Sequence, residues 1–179
     1  MNYRDVLLTN ENIIKSTTNI FENVNGNYLL PSIKLSQDID LESVIGTKLL
    51  ESLQQMVYRN EFKNIYKKLL DNYVQPYLTY SSIVRLIPTV SWKITNAGVM
   101  TTSDEKMNPT SANEVDKVKA YYQNIADTYK IKMQRFLIAN HNDFPELNEG
   151  TTIECIRHNL YSSATSGLAL GGARGRYIK

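Results

Sequence analysis

The segment from Ser111 to Asn140 restricts the possible folds most. Its apolar residues Val115, Val118, Tyr122, Ile125, Tyr129, Met133 and Phe136 recur every three or four positions, the spacing that gathers side chains on one face of a helix. It opens on Ser111-Ala112-Asn113-Glu114, a capping box in which the serine and glutamate side chains satisfy the first free backbone amides. A helix of about 28 residues is about 42 Å long. That exceeds the height of a small globule, so it has to pack along several partners. A chain of 179 residues is long enough to bury roughly two-thirds of its unfolded surface without help from disulfides or metal.

Other helices are read around this one. Thr9 or Asn10 caps a short helix to about Thr17, and Asn23 to Asn27 forms a loop. Pro31 opens a helical turn to Gln37. Asp38 or Asp40 then caps a helix with Leu41, Val44, Ile45, Leu49, Leu50, Leu53 and Met56 on its inner side. Gly46 within it marks either a close helix contact or a break between two helices. Asn60 caps the next, whose inner face is Phe62, Ile65, Tyr66, Leu69, Leu70 and Tyr73. Pro76 sits in the first turn of a further helix running to about Ile87. Between Asn72 and Trp92 the only charge is Arg85. That stretch carries Ser, Thr, Asn, Gln and two prolines, whereas a membrane span needs about 20 predominantly apolar residues. A buried central helix is therefore the better reading.

After Pro88, the residues Trp92-Lys93-Ile94-Thr95 and Val99-Met100-Thr101 flank Asn96-Ala97-Gly98, which reads as a short β-hairpin at about 92–101. Residues 1–8 read as loosely held. The fold class expected is mainly α: a helical bundle with one long helix at about 112–140, the hairpin, and extended terminal arms. Residues 1–161 form the domain and 162–179 a flexible basic arm.

Little in the sequence points to catalysis. Cys155 and His158 have C-x-x-H spacing, and His141 is the only other histidine. Structural zinc wants four Cys or His ligands, and three exist, so no metal or other cofactor is expected. A Cys–His nucleophilic pair needs an orienting group and an oxyanion site, and the sequence nominates neither. Carboxylates gather at Asp38, Asp40 and Glu42 and again at Asp143, Glu146 and Glu149. Both groups fall at expected helix ends, where a capping carboxylate is favoured. No phosphate-binding loop of the Gly-Lys-Ser/Thr kind occurs. A net charge of +2 argues against a nucleic-acid-coating protein. The 12 tyrosines outnumber the four phenylalanines and one tryptophan, and tyrosine suits surfaces buried in assembly. The tail carries Arg174, Arg176, Tyr177 and Lys179 and no acid after Glu154. It reads foremost as a protein-contact arm, then as a disordered end, then as a DNA contact.

The chain resembles the head-to-tail connector (adaptor or collar ring) proteins of tailed phages, in particular crAss-like phages and relatives infecting Bacteroidetes. The likeness is carried by Asp40 to Leu50 with its Ile45-Gly46-x-x-Leu49 motif, by Leu70 to Tyr80, and by Ile87-Pro88 through Trp92 to Val99. Tyr121-Tyr122 with Ala126 and Tyr129, and Asn140 to Phe144-Pro145-Glu146, complete it. Together these cover about residues 30–150.

The resemblance implies a non-enzymatic virion subunit, made in the bacterial host cytoplasm and placed at the portal–tail junction. It implies a ring of this chain, commonly twelve copies, stacked below the portal protein and against adjoining connector or tail rings. DNA passes through the channel without sequence-specific binding, and no membrane is involved. It nominates Trp92, Lys93, Ile94 and Val99, with Arg174, Arg176, Tyr177 and Lys179, as interface residues. A small helical interaction protein or nucleic-acid-binding regulator is the rival reading, and an enzyme without a familiar motif the third.

Overall fold

Asparagines, one glycine and one proline mark where several of the helices start, stop and widen. The computed structural model describes residues 2–20, 24–95, 98–101, 112–147 and 156. Asn10 caps α1 (Glu11–Thr17), its side chain accepting the Ile13 amide at 2.9 Å. Asn25 caps α2 (Gly26–Leu35) by accepting the Asn27 amide at 2.9 Å. Part of the expected Asn/Gly loop is thus the cap and first turn of α2. Pro31 lies inside that helix instead of opening one. As the sixth residue of α2 it lies past the first turn, so the helix forgoes the bond its amide would make to the Asn27 carbonyl.

The chain stays helical beyond α2. A π-helical stretch, Ser36–Leu41, leads directly into α3 (Glu42–Ile45), and the Glu42 amide reaches back five residues to the Gln37 carbonyl, the wider step of a π-turn. Asp38 and Asp40 lie within this continuous run, so neither begins a helix. Gly46 ends it at φ 80° and ψ 157°, a region essentially reserved for glycine, and α4 (Thr47–Arg59) follows at once. Asn60 adopts the left-handed conformation at φ 54° and closes α4. It therefore ends one helix rather than starting the next, and Phe62 lies in the linker.

The same device recurs before Pro76. The helical run from α5 (Asn64–Leu69) passes through a π-helical stretch, Leu70–Val74, into α6 (Gln75–Ser91). Proline lacks a donor and its ring crowds the carbonyl four residues back. Here the Gln75 amide bonds the Leu70 carbonyl, and the widened turn takes the ring without ending the helix. Pro88 likewise lies inside α6, close to its end.

The last long element, α7 (Ala112–Ala139), has 28 residues and is followed by short 3-10 turns at His141–Asp143 and Pro145–Leu147. α6 packs against α7 on one side and α2 on the other. A large apolar core forms from α3, α4, α5, α6 and the C-terminal half of α7, with Leu49, Leu53, Tyr66, Leu69, Leu78, Met133, Leu137 and Phe144 at its centre. A smaller cluster of Ile14, Leu29, Ile33, Ile83 and Leu86 joins α1 and α2 to α6. Tyr73 stacks on Phe136 at 4.6 Å, and Tyr66 meets Phe144 edge-on at 5.0 Å.

Two parts of the expected architecture need correction. The first is the β-hairpin. The fold is helical, and a hairpin is not supported as one of its building blocks. Trp92–Thr95 and Gly98–Thr101 lie antiparallel, Trp92 opposite Thr101, but no third strand joins them among the described residues. A two-stranded ribbon is marginal on its own in water, so the alternation of β-formers there builds no layer and helix packing carries the fold. The second is the pair of extended arms. Leu8 is buried in the larger core and the main chain of residues 4–8 is tied to the body, so the N-terminus is an integral part of the domain. Residues 162–179, and the boundary at 161, lie outside the described residues.

Because Gly46 holds a conformation that disfavours a Cβ, Gly46→Ala is expected to destabilise the protein by about 1–3 kcal/mol. A urea unfolding curve with a lowered midpoint and an unchanged slope checks this.

Candidate functional site

Arg85, the one charge of α6, organises the most polar part of the interior. Its Nη2 donates to Asp40 Oδ1 at 2.6 Å and its Nε to Oδ2 at 3.1 Å, the two-pronged geometry that guanidinium and carboxylate favour. The Ser81 hydroxyl donates to Asp40 Oδ2 at 2.8 Å, and Ser36 in turn donates to Ser81 at 2.6 Å. Burial raises the Tyr77 phenol above its ordinary value of 10.0, the Asp40 charge adding to the shift and a hydrogen bond with Ser81 opposing it. Arg85 is held protonated chiefly by its bond to Asp40. This network joins the π-turn after α2 to the middle of α6, and every group in it is matched. It is a structural junction.

Three of the other acids raised from sequence are occupied in the same manner, and Glu149 lies outside the described residues. Asp38 pairs with Lys34 at 3.0 Å, Glu42 accepts the Thr47 hydroxyl at 2.6 Å, and Glu146 accepts the Tyr66 hydroxyl at 2.8 Å. Asp38, Asp40 and Glu42 thus serve as side-chain partners, Asp38 and Asp40 inside a helical run and Glu42 at the head of α3. His141 lies just past α7 with Nδ1 3.1 Å from the Ile138 carbonyl. Among the described residues no three His, Cys, Asp or Glu side chains come together as metal ligands would, and no helix is long and apolar enough to cross a membrane. Cys155 and His158 lie outside the described residues.

Among the described residues, uncovered large apolar side chains lie on α2 and its π-turn, on α7, and singly at Tyr58 of α4 and Val90 of α6. On the solvent side of α2 and its π-turn, Tyr28, Leu30, Leu35 and Ile39 are 39–49% exposed. On α7, Val118 and Tyr121 are 48% and 63% exposed, and nearly all residues from Asn113 to Tyr121 face solvent. A run of tyrosines links this region to the core: Tyr129 stacks on Tyr80 at 5.7 Å, Tyr80 on Tyr122 at 6.4 Å, and Tyr121 meets Tyr122 edge-on at 5.3 Å. The periodicity of α7 places Val118 on the inward face, whereas among the described residues it is left 48% exposed. Tyr28, Leu30, Leu35 and Ile39 were not singled out from sequence. The signal was an α2 stretch apolar on both faces. Of the interface residues nominated from sequence, Trp92, Lys93, Ile94 and Val99 have described backbone but not side chains, and Arg174, Arg176, Tyr177 and Lys179 lie outside the described residues.

Removing Asp40 leaves the Arg85 guanidinium and the Ser81 hydroxyl without their acceptor. With the pair partly exposed, Asp40→Ala is expected to cost about 2 kcal/mol, measured by denaturant unfolding. A double-mutant cycle with Arg85→Met isolates the pair. The raised tyrosines set a second expectation. Tyr66 is lifted by burial and then by its bond to Glu146, and Tyr77 by burial and then by Asp40. A folded value above the unfolded one of 10.0 means that this contribution is complete below pH 10 and is lost as pH rises further. Absorbance titration should show these two phenols ionising only together with alkaline unfolding.

No curated protein matches the chain, and no solved structure does. Residues 41–156, well over half of the chain, match a family of unknown function (DUF6712). That match spans α3 to the C-terminal turns, the large core and the exposed half of α7, so the chain belongs to the DUF6712 family, whose function is unknown.

Proposed function

We propose that this chain is a structural subunit of a head-to-tail connector ring, stacked below the portal of a tailed phage and lining its DNA exit channel. The observation that carries the reading is the presence of two dissimilar uncovered apolar surfaces, Tyr28/Leu30/Leu35/Ile39 on α2 and its π-turn and Val118/Tyr121 on α7. A closed ring is built from heterologous contacts, so each subunit needs two different surfaces that complement one another. α6 lies between the helices that carry them. The occupant of each surface is then the other surface of the next copy. The sequence resemblance to connector proteins supports the same reading, and so do the acids of the interior, which are engaged in structural bonds.

Electron microscopy of purified particles, with antibody or tag labelling of this chain, tests the proposal. Label is expected at the portal–tail junction in a ring, and a protein absent from particles ends the reading. Within it, Leu35→Asp and Val118→Asp are each expected to leave the free chain folded by circular dichroism and to abolish its incorporation. The rival regulator reading predicts instead DNA affinity that falls steeply with salt.

A further inference from the structure

The net charge of +2 conceals an uneven distribution. Lys63 to Leu69 and α7 together hold eight of the 20 Lys and Arg residues but three of the 18 Asp and Glu. The remaining residues carry 12 cations against 15 acids. The two groups of cations also differ in their partners. Around α1, α2 and α4, Arg4 pairs with Glu51 at 2.8 Å, Lys34 with Asp38 at 3.0 Å, and Lys15 with Glu11. Lys63, Lys68, Lys132 and Arg135 are exposed, and among the described residues none of them has an acid within ion-pair distance. Three of the four lie over aromatic rings instead: Lys68 over Phe136 at 5.7 Å, Lys63 over Tyr66 at 5.9 Å and Lys132 over Tyr129 at 5.0 Å. Phe144 joins two of those rings from below, 5.0 Å from Tyr66 and 6.1 Å from Phe136. Tyr129 and Phe136 are about two turns apart on one side of α7, and Lys132 and Arg135 are neighbours on its surface. The acids of the surrounding elements are engaged elsewhere. Glu146 accepts the Tyr66 hydroxyl at 2.8 Å, and Asp143 acts on the same group. Asp127 accepts from Gln123 at 3.1 Å, and Asp71 lines a separate cavity with Lys67, beside Leu7 and Leu8.

We propose that this face, carried by α5 with its cap Lys63 and by the C-terminal half of α7, binds the phosphate backbone of duplex DNA without reading its sequence. Three observations carry this. First, the four cations have no internal acid to lose, so a phosphate can replace their water and draw on the release of DNA counterions. Second, the rings beneath three of them hold the ammonium groups in place, which lowers the ordering cost of contact. Third, Asn124 and Thr128 continue the Arg135 face of α7 and are exposed. Uncharged polar side chains of that kind also bond phosphate oxygens. Asn124 to Arg135 spans about 16 Å of helix, the rise of about five base pairs. A membrane surface is the poorer fit. It takes up apolar side chains along with cations, and among the described residues no large apolar side chain is exposed on α5 or on α7 beyond Tyr121. The binding needs no ring. That this face turns toward the exit channel rests on the connector reading.

Fluorescence anisotropy of the full chain with short labelled duplexes of two unrelated sequences, at low salt, tests the proposal. Both duplexes are expected to bind, with affinities within twofold of each other. Lys68→Gln/Lys132→Gln/Arg135→Gln is expected to weaken binding at least tenfold. Arg4→Gln/Lys15→Gln/Lys34→Gln removes the same charge from cations that already have acids, and is expected to change binding less than threefold. Circular dichroism checks that both variants are folded. Four phosphate contacts hold the slope of log affinity against log salt to about −4 or shallower, short of the steep dependence that the regulator reading predicts. No binding, a steeper slope, or an equal loss in the two variants overturns the proposal. So does a tenfold preference between the duplexes, or equal affinity for poly-glutamate of matched charge. A chain that binds duplex but is absent from particles ends the connector reading alone. A chain found in the ring that binds no duplex ends this proposal alone.

Discussion

A buried helix with a single charge can pack only if that charge is answered, and the rest of this fold is arranged around the answer. Arg85 of α6 meets both oxygens of Asp40, and Asp40 lies on the π-turn that continues α2. The pair sets how the α2–α3 run lies along α6. With that alignment, Leu29 and Ile33 meet Ile83 and Leu86 in the smaller core cluster, and Ser36 reaches Ser81. It also places Gln37, three residues before Asp40, in the interior where it takes the main chain of Val6 and Leu8. A partly exposed ion pair adds little net stability. Its larger effect here is to select one alignment among several that apolar contacts alone would accept.

The two π-helical stretches serve that alignment in different ways. The one before Pro76 solves a steric problem, because a proline inside a helix needs its carbonyl neighbour moved aside. The result is one continuous helical run from Asn64 to Ser91 in place of two helices with a corner. The stretch from Ser36 to Leu41 has no proline. There the extra residue shifts the face presented to α6, which brings Asp40 to Arg85 while Leu41, Val44 and Ile45 still enter the large core.

Sequence periodicity located the helices well wherever one apolar face dominates. α7 lies at Ala112–Ala139 against an expected 112–140, and α6 is buried as its lack of charge implied. Its errors have a common physical origin. Asn60, Asp38, Asp40 and Pro31 were assigned from local preference as helix starts, and each proved subordinate to a longer helical run or to the end of the preceding helix. Capping preference describes what an isolated terminus favours, whereas tertiary bonds such as Asp40 to Arg85 can use the same side chain elsewhere. The ribbon at 92–101 is a related case: alternating β-formers signal strands, and two short ones pair there, but they supply no partner sheet and so no building block of a helical fold. The N-terminal attachment was illegible for a different reason. Gln37 and Gln54 act on residues about 30 and 50 positions away, and no periodicity reports a side chain bonding distant main chain. The uncovered surfaces were hidden because an apolar residue on a helix reads the same whether a neighbour covers it or not.

The exposed half of α7 poses a question of stability that its other half answers. Residues 113–121 have little tertiary cover, and a helix of that length alone is marginal in water because nucleation is costly. In this chain no nucleation is needed. Ala126, Met133, Phe136 and Leu137 are buried in the core and fix several turns, after which each further residue only propagates the helix. Tyr122, packed against the smaller cluster, holds the point where cover ends. The projecting turns can therefore remain helical without a partner, and their exposed Val118 and Tyr121 are presented already ordered. A surface ordered beforehand loses less conformational freedom on contact than a segment that must fold as it binds.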